Sequence, residues 1–351
     1  MSSGRKLQYA LAINEAFHQM MAADRSVFLM GQGTKSPWYV GKTAQGLLDR
    51  FGKDRVIDTP VSENAMTGAA VGAALAGMKP IVVHPRIDFM LYAFDPIINQ
   101  AANWHYMNGG KLSVPVVIWG IINRGGEQAA QHSQALHAMF AHVPGLKVVM
   151  PATSYDAKGL MIAAICDPNP VVYIDDRWLY ACEDNVPEDV YEVEIGKGVI
   201  RKEGRDVTLV AISYMAHLAA KAIQELAAAG IDVELIDPRT AKPLDIELIL
   251  RSVEKTGRLV VADVGWCSWG WASEVAAQVS ERAFSSLKAP VVRVALPDCP
   301  APASSVLEDA YYPKVNDIVE AVKKVLGKKS GDRKQKTEGR CYEKRKVLRV
   351  S

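Results

Sequence analysis

Short apolar runs alternate along the chain with longer segments in which apolar residues recur every three or four positions. The short runs are rich in Val and Ile, which is typical of buried strands. They are PIVVH (80–84), VPVVIWG (114–120), KVVMP (147–151), PVVYI (170–174), DVTLVAIS (206–213), DVELID (232–237), RLVVAD (258–263) and PVVRVAL (290–296). Helical patterns span 95–107, 156–166, 214–229, 245–255, 270–283 and 315–326. This alternation predicts an α/β protein with parallel sheets covered on both faces.

The ends of two predicted helices carry capping signals. Ser154 precedes YDAKGLMIAAI and is expected to be the N-cap of that helix. Asp245 precedes IELILRSVEKT, and Gly257 follows it in the position of a C-cap. These residues support the helix assignments independently of the apolar pattern.

The chain is long enough, at 351 residues, for two domains with separate cores. The segment ACEDNVPEDVYEVEIGKG (181–198) is acidic and lacks helical periodicity, so we expect the boundary there. The predicted division is a first domain at 1–185, a linker at 186–199, a second domain at 200–326 and a tail at 327–351.

Composition narrows the class of protein. Hydrophobic residues make up 49% and charged residues 23%, as in ordinary globular proteins. No apolar run approaches the length of a membrane span, and the N-terminus reads as a mature start leading into an amphipathic helix. The five cysteines are scattered without CxxC pairs, which disfavours a disulfide framework or zinc site and favours a reducing cytoplasm.

The charge is uneven. The net charge of +2 combines +7 on the tail, residues 327–351, with −5 on the rest. Basic tails can attract nucleic acid or acidic partners. We expect instead a disordered, solvated terminus, because the tail has almost no apolar periodicity. A nucleic-acid partner is therefore not expected.

Small residues recur every four positions in GAAVGAALAGM (68–78), at Gly68, Gly72 and Ala76. Such spacing places a flat stripe on one helix face. Two interpretations stay open: ordinary core packing, or close approach of another chain or of a cofactor domain.

Familiar phosphate and hydrolase motifs are absent from the sequence. It contains no GxGxxG after a strand, no GxxxxGK[ST], no GxSxG and no HExxH. If the chain uses a phosphorylated cofactor, we expect another chain to hold the phosphates.

Polar residues instead follow predicted strands, where ligands collect in open α/β sheets. Three such loops carry ionisable residues, and together they predict one shared site. They contain Glu63, then His84, Arg86 and Asp88, then Gln131, His132, Ser133 and Gln134. Taken singly, a residue such as Glu63 is usually a helix cap or an ion-pair partner, and one such as His132 is more often structural than catalytic. His137 and His142 read as packing or surface residues.

The motifs SExxxTG, AAQHS, HxPGLKVVxP, DAKGL and DxRTxxPLD occur in this order. With DPIINQAANWHYMNGG and VGWCSWGWASEV, they resemble the beta subunit of the thiamine-diphosphate-dependent component of 2-oxo acid dehydrogenases, the pyruvate dehydrogenase type. The resemblance spans about 1–326. It implies a pyrimidine-binding domain of transketolase type followed by a transketolase C-terminal-type domain.

The resemblance also implies roles for residues. Glu63 is expected to hydrogen-bond the aminopyrimidine ring of thiamine diphosphate and assist its proton transfers. Phe89 is expected to pack on that ring. His132 is expected to line the channel to the reactive carbon, to hydrogen-bond the substrate and to assist acyl transfer to lipoyl.

Metal ions and partners follow from the same resemblance. A structural potassium ion is expected at the carbonyls of AICDPN and a neighbouring strand, namely Val116, Ala164, Ile165, Asp167 and Asn169. An alpha subunit is expected to hold the diphosphate and magnesium in an α2β2 heterotetramer. A lipoylated acyltransferase core is a further expected partner.

The stretch HPRIDFMLY (84–92) departs from the family pattern. Its Arg86 could bind a substrate carboxylate or phosphate, or it could pair with Asp88 or a helix end. Two alternatives to the dehydrogenase therefore stay open. One is a split-chain transketolase-like or acyloin-forming carboligase without a lipoyl partner. The other is a non-catalytic assembly subunit.

Overall fold

A computed structural model describes residues 5–328 of the chain. Nearly all of the predicted disordered tail, from residue 329 onward, lies outside the described residues. The contacts divide the chain into two compact units. Among the described residues, the first comprises 5–124 and 139–195, and the second comprises 125–138 and 196–328. None of the helices between residues 5 and 328 is both long and apolar enough to cross a membrane.

The first unit is an α/β layer structure built on short strands, of which the central ones are buried. Its strands are β1 (Arg5–Gln8), β2 (Val27–Gly31), β3 (Val56–Asp58), β4 (Lys79–His84), β5 (Val117–Ile122), β6 (Lys147–Val149), β7 (Val171–Asp176) and β8 (Glu183–Val186). Its helices are α1 (Tyr9–Ala23), α2 (Pro37–Val40), α3 (Leu47–Phe51), α4 (Glu63–Leu75), α5 (Ala102–Met107), α6 (His137–His142) and α7 (Ser154–Cys166). The first two residues of α6 fall in the second unit by the division above.

Six strands of this unit form a parallel sheet in the order β6-β7-β5-β4-β2-β3. The strands β2, β5 and β7 are buried along their whole length, as expected when helices cover both faces of a parallel sheet. The separate pair β1-β8 is antiparallel. Parallel pairing brings the carboxyl ends of β4, β5 and β7 to one edge, where the polar loops begin.

The helices α1 and α7 pack on each other and hold the segment that follows β8. Lys158 of α7 is fully buried. Its ammonium group donates to Glu15 Oε1 at 2.6 Å and to the backbone oxygens of Pro187 and Asp189. Because a buried ammonium must satisfy its donors, Lys158 ties this otherwise polar segment to the first unit.

The second unit repeats the α/β plan with a smaller sheet. Its strands are β9 (Val199–Lys202), β10 (Val207–Ala211), β11 (Val233–Asp237), β12 (Thr240–Lys242), β13 (Leu259–Trp266) and β14 (Val292–Leu296). Its remaining helices are α8 (Tyr214–Ala228), α9 (Ile246–Thr256), α10 (Trp271–Arg282), α11 (Ser305–Tyr311) and α12 (Val315–Val325). The sheet order is β14-β13-β10-β11-β9, and only β9 runs antiparallel.

The predicted α/β class and the eight predicted strands are confirmed, with shifts of a few residues at their ends. Asp245 caps α9 by accepting a hydrogen bond from the backbone N–H of Leu248, and Gly257 ends it at φ 73°. The N-cap assignment at Ser154 was wrong: Thr153 accepts from the N–H of Asp156, and Ser154 is the first helical residue. Either hydroxyl can cap a helix, and the backbone of Thr153 is the extended one.

Other segments show where local patterns are insufficient. The strand β2, VFLMG, went unpredicted because five apolar residues after a helix do not reveal their period. The predicted helix 95–107 begins with a π-helical stretch, Asp95–Ala101, before α5. The acidic segment 181–198, which showed no helical periodicity, contains the strand β8, and only Val186 of that strand falls within the predicted linker.

Candidate active site

Glu63 is the first residue of α4 and its side chain is buried, with 9% of the residue exposed. Among residues 5–328, no side chain or backbone group forms a hydrogen bond or ion pair with its carboxylate. Its carboxylate oxygens are not among the buried side-chain atoms that lack a partner, so they are accessible to a ligand. The N-terminal end of a helix also favours a negative group. Glu63 therefore fits a site whose hydrogen-bond donor is a ligand.

A 3₁₀ segment, Ile87–Ala93, packs beside α4 and carries Phe89. Asn64 Nδ2 donates to the backbone oxygen of Tyr92 at 3.4 Å, which joins the two elements. A Cβ added at Gly120 of β5 would lie 2.5 Å from Met90 Sδ, so this glycine lets the segment pack directly on the sheet. The fold thus brings together the elements that carry Glu63 and Phe89.

His84 ends β4 and is buried. Its Nε2 lies 3.1 Å from the Thr67 hydroxyl, and its Nδ1 has no hydrogen-bond partner within residues 5–328. Burial lowers the pKa of His84 to about 3, so the imidazole is neutral near pH 7. Thr67 lies in the motif SExxxTG, and its contact with His84 links the edge of the sheet to the helix of Glu63.

Three arginines follow the carboxyl ends of the strands β4, β5 and β7, namely Arg86, Arg124 and Arg177. Arg86 is half-buried, and burial and then the charge of Arg177 lower its pKa. Arg177 donates to the backbone oxygen of Trp38 at 2.7 Å and to Asn123 Oδ1 at 3.3 Å. Arg124 forms a buried ion pair with Asp176 at 2.5 Å. Arg177 was missed from sequence, although its place directly after a predicted strand could have marked it.

Asp175 and Asp176 end β7 as two adjacent, fully buried carboxyl groups. Burial raises the pKa of Asp175 to about 7, although the Trp119 indole N–H donates to its Oδ1 at 2.9 Å and opposes that rise. Burial also raises the pKa of Asp176, while Arg124 opposes the rise. These carboxyl groups make the edge of the sheet sensitive to pH.

His132 lies in the second unit, in the 3₁₀ turn Ala130–His132, and is half-buried. Ala129 before it has φ 59° and ψ −169°, a region that is almost exclusive to glycine. Ser133 after it is buried. The side chain of His132 is therefore presented from a strained turn.

The expected potassium ligands lie at the C-terminal end of α7, where carbonyl groups lack helical donors. The final helical bond runs from Asp167 N–H to Ala163 O at 3.0 Å. Pro168 has no N–H to offer Ala164, and Asn169 N–H turns to Asp167 Oδ1 at 2.9 Å instead of Ile165. Oxygen atoms of this kind suit a hard cation.

Val116, the fifth expected ligand, stands just before β5, and its carbonyl accepts from Val171 N–H at 3.0 Å. A carbonyl oxygen can accept a second interaction, so this bond is compatible with a cation. No cluster of three or more His, Cys, Asp or Glu side chains suited to a metal ion occurs within residues 5–328.

Comparison with known proteins agrees with this geometry. Residues 5–181 match the family model "Transketolase, pyrimidine binding domain", and residues 196–318 match "Transketolase, C-terminal domain". A solved structure titled "Split gene transketolase, inactive beta4 tetramer" shares the fold, with a TM-score of 0.75 and 24% identity over 92% of this chain and 99% of that one.

Two curated relatives are closer in sequence. The acetoin:2,6-dichlorophenolindophenol oxidoreductase subunit beta of Cupriavidus necator is 45% identical over 92% of this chain and 98% of its own length. The pyruvate dehydrogenase E1 component subunit beta of Rickettsia felis is 43% identical over 90% of this chain and 96% of its own. The chain therefore belongs to the beta-subunit family of the thiamine-diphosphate-dependent 2-oxo acid dehydrogenases, within the transketolase-like proteins.

Proposed function

We propose that this chain forms, with an alpha subunit, an enzyme that oxidatively decarboxylates a small 2-oxo acid such as pyruvate and transfers the acyl group to lipoyl. The observation that carries the proposal is Glu63, a largely buried residue at the start of α4 whose accessible carboxylate has no partner among the described residues. Relatives named pyruvate dehydrogenase E1 beta subunits support it.

Thiamine diphosphate, when bound, would supply the carbon nucleophile and the electron sink. The residues of this chain would hold and orient it. Glu63 would make a charge-assisted hydrogen bond to the pyrimidine ring, and Phe89 would offer a flat apolar surface. His132 would donate a hydrogen bond to the substrate carboxylate and move a proton during acyl transfer. Arg86 would attract an anionic group of the substrate.

The proposed partners account for what this chain does not offer. An alpha chain would hold the diphosphate and magnesium in an α2β2 heterotetramer. The small-residue stripe is exposed on α4, and a Cβ added at Gly68 or Gly72 would meet no described atom within 4 Å. Ordinary core packing therefore does not explain the stripe, and we assign it to subunit contact. We place potassium at the end of α7, the assembled enzyme in a reducing cytoplasm, and the domain division at 1–185 and 200–326.

A second candidate is an acyloin-handling enzyme that needs no lipoyl partner. It is favoured by the relative named acetoin:2,6-dichlorophenolindophenol oxidoreductase subunit beta. The charged stretch at Arg86 and Asp88, beside the segment of Phe89, is a further departure that could alter the substrate.

The deciding experiment uses the chain co-expressed with its alpha partner. Pyruvate and acetoin are offered separately with 2,6-dichlorophenolindophenol as electron acceptor, and carbon dioxide release and dye reduction are followed. The first proposal predicts dye reduction with carbon dioxide release from pyruvate, and acyl transfer when a lipoylated domain is added. Dye reduction from acetoin alone would support the second candidate.

Glu63→Gln tests the role of the chain itself. The change keeps the size of the side chain but removes its charge, and turnover is expected to fall by roughly 10²–10⁴-fold. Asp49→Asn is the matched control, because Asp49 is an exposed acid in the first turn of α3. Unchanged turnover in Glu63→Gln would instead favour the non-catalytic assembly subunit.

A further inference from the structure

The segment 125–138 stands apart because it lies in sequence between β5 and β6 of the first unit but packs within the second. Two of its residues other than glycine have positive φ angles, Glu127 at 62° and Ala129 at 59°. Side chains destabilise such backbone, so the surroundings must hold it in place. His132 lies near the middle of this segment.

The first anchor of the segment is α11. The backbone N–H of Glu127 donates to Glu308 Oε2 at 2.9 Å, and the N–H of Ser305 donates to Glu127 Oε1 at 3.1 Å. Glu308 is buried, with 7% of the residue exposed. The two hydrogen bonds run in opposite directions, so they fix both the backbone and the side chain of Glu127.

The second anchor is a hydrogen bond at the other end of the segment. Nε2 of His137 lies 2.9 Å from Asp263 Oδ1, and both side chains are fully buried. Asp263 also accepts from the N–H groups of Gly265 and Ala272, the latter in the first turn of α10. Burial raises the pKa of Asp263, but His137 and these N–H groups together lower it further, to below its ordinary value.

Packing tightens this second anchor. A Cβ added at Gly265 would lie 3.0 Å from His137 Cε1 and 3.5 Å from Asp263 Oδ1. The glycine therefore leaves space for the imidazole and no more. His137 is therefore held by its hydrogen bond to Asp263, which the start of α10 fixes in turn, and by the close backbone at Gly265.

We propose that Glu308 and Asp263 are positioning residues for His132: they clamp the two ends of segment 125–138, one through Glu127 and the other through His137. His132 is five residues from each clamped residue, so both anchors limit where its imidazole can be. This inference rests on the catalytic role proposed for His132. Beyond that role, we infer that residues of the second unit fix the position of the His132 side chain.

The test is amide hydrogen exchange, followed by mass spectrometry, on the enzyme assembled with its alpha partner. Glu308→Ala is expected to speed exchange in peptides covering 125–138 about tenfold, the effect of losing one hydrogen bond. Glu308→Gln keeps an acceptor oxygen and is expected to restore slow exchange. Gly265→Ala, which removes neither anchor but displaces His137, is expected to speed exchange toward residue 138.

Kinetics separate positioning from simple stability. Glu308→Ala is expected to lower kcat/KM, with a loss of kcat and a rise in KM, and Glu308→Gln to recover both, because the placement of His132 affects its hydrogen bond to the substrate and its proton transfer. Glu234→Ala is the matched control. Glu234 is a buried carboxylate of the same unit that accepts the N–H of Gly204 at 3.3 Å, away from the segment. It is expected to lower Tm without altering exchange in 125–138.

Two results would overturn the clamp: exchange in 125–138 unchanged by both Glu308→Ala and Gly265→Ala, or exchange raised equally throughout the second unit. Faster exchange with unchanged kcat would overturn the positioning role if His132→Ala is inactive. If His132→Ala itself retains full turnover, the catalytic role proposed for His132 fails. The exchange data then still test, independently of turnover, whether Glu308 and Asp263 hold the segment.

Discussion

Nε2 of His84 and Oγ1 of Thr67 lie 3.1 Å apart, and both side chains are buried. The contact joins the end of β4 to α4, one turn after Glu63. A buried polar contact of this kind restricts how the helix can move against the sheet. The position of Glu63 therefore depends in part on His84, which lies on a neighbouring strand.

Replacing His84 with Gln should reduce the loss of folding stability that occurs when the pH falls below about 6.5. The pKa of folded His84 is about 3, whereas an unfolded histidine takes up a proton near pH 6.5. Below that pH the unfolded state binds the proton and the folded state does not, so folding stability falls by up to about 1.4 kcal/mol per pH unit. Urea unfolding of the wild-type chain and His84→Gln near pH 7 and near pH 5 measures the difference.

His142→Gln is the control for that experiment, because His142 is exposed. It should lose stability in acid as the wild type does. If His84→Gln also follows the wild-type curve, His84 does not carry the acid sensitivity.

Asp175→Asn should become more stable relative to the wild type as the pH rises to about 7. Because the pKa of folded Asp175 is about 7, the folded state keeps a proton that the unfolded state releases near its ordinary pKa. Stability from this group is therefore fully present below the ordinary pKa of an aspartate and declines as pH rises toward about 7. Asn keeps an acceptor for the Trp119 N–H.

The measurement for Asp175→Asn is Tm as a function of pH from about 5 to about 8, a range chosen to span the titration. The variant should gain on the wild type as pH rises. Asp49→Asn, at an exposed position, should show no such trend. A constant difference between wild type and Asp175→Asn across the range would contradict the prediction.

Gly145→Ala should destabilise the first unit severely. Gly145 has φ 86°, and a Cβ there would lie 2.1 Å from the backbone oxygen of Ala102, which cannot rotate away. Gly230→Ala is a matched comparison, since φ is 71° but no described atom lies within 4 Å of its Cβ. We expect about 1 kcal/mol for Gly230→Ala from backbone strain and several kcal/mol for Gly145→Ala. If both variants lost the same free energy of unfolding in denaturant, the close contact at Gly145 would not explain the destabilisation.

Potassium should stabilise the chain at the end of α7. At an ion concentration of about 100 Kd, binding to the folded state alone adds about 2.7 kcal/mol. Tm should therefore rise in potassium chloride over choline chloride of equal ionic strength. Amide exchange should slow in peptides covering 163–171 and not at the end of α8. A uniform effect along the chain would indicate a general salt effect.

Much of the fold could be predicted because its signals are local. The buried strands are short Val- and Ile-rich runs, and the helix α9 is marked at both ends by Asp245 and Gly257. Glu63 could be picked out as a candidate because the motif SExxxTG places an acid between a loop and a run of small residues. Such features depend on residues only a few positions apart, so the sequence displays them directly.

Other parts of the site depend on contacts between distant residues. Arg177 meets the backbone of Trp38, 139 positions away, and no periodic pattern links them. His137 read only as a packing or surface residue, because the carboxylate that pairs with it is 126 positions along the chain. Potassium, the residue roles and the domain boundaries drawn from sequence stay predictions.

The sequence by itself determined the α/β class, most strands and helices, and the motifs that place the chain in its family. Local periodicity and capping need no tertiary information, since they record which face of each element avoids water. Only the tertiary structure decided that segment 125–138, with His132, packs in the second unit. It also decided that Glu308 and Asp263 anchor its two ends. These contacts form because buried polar groups need hydrogen-bond partners, and here the partners are more than a hundred residues apart in the chain. Local sequence patterns carry no information about such distant partners.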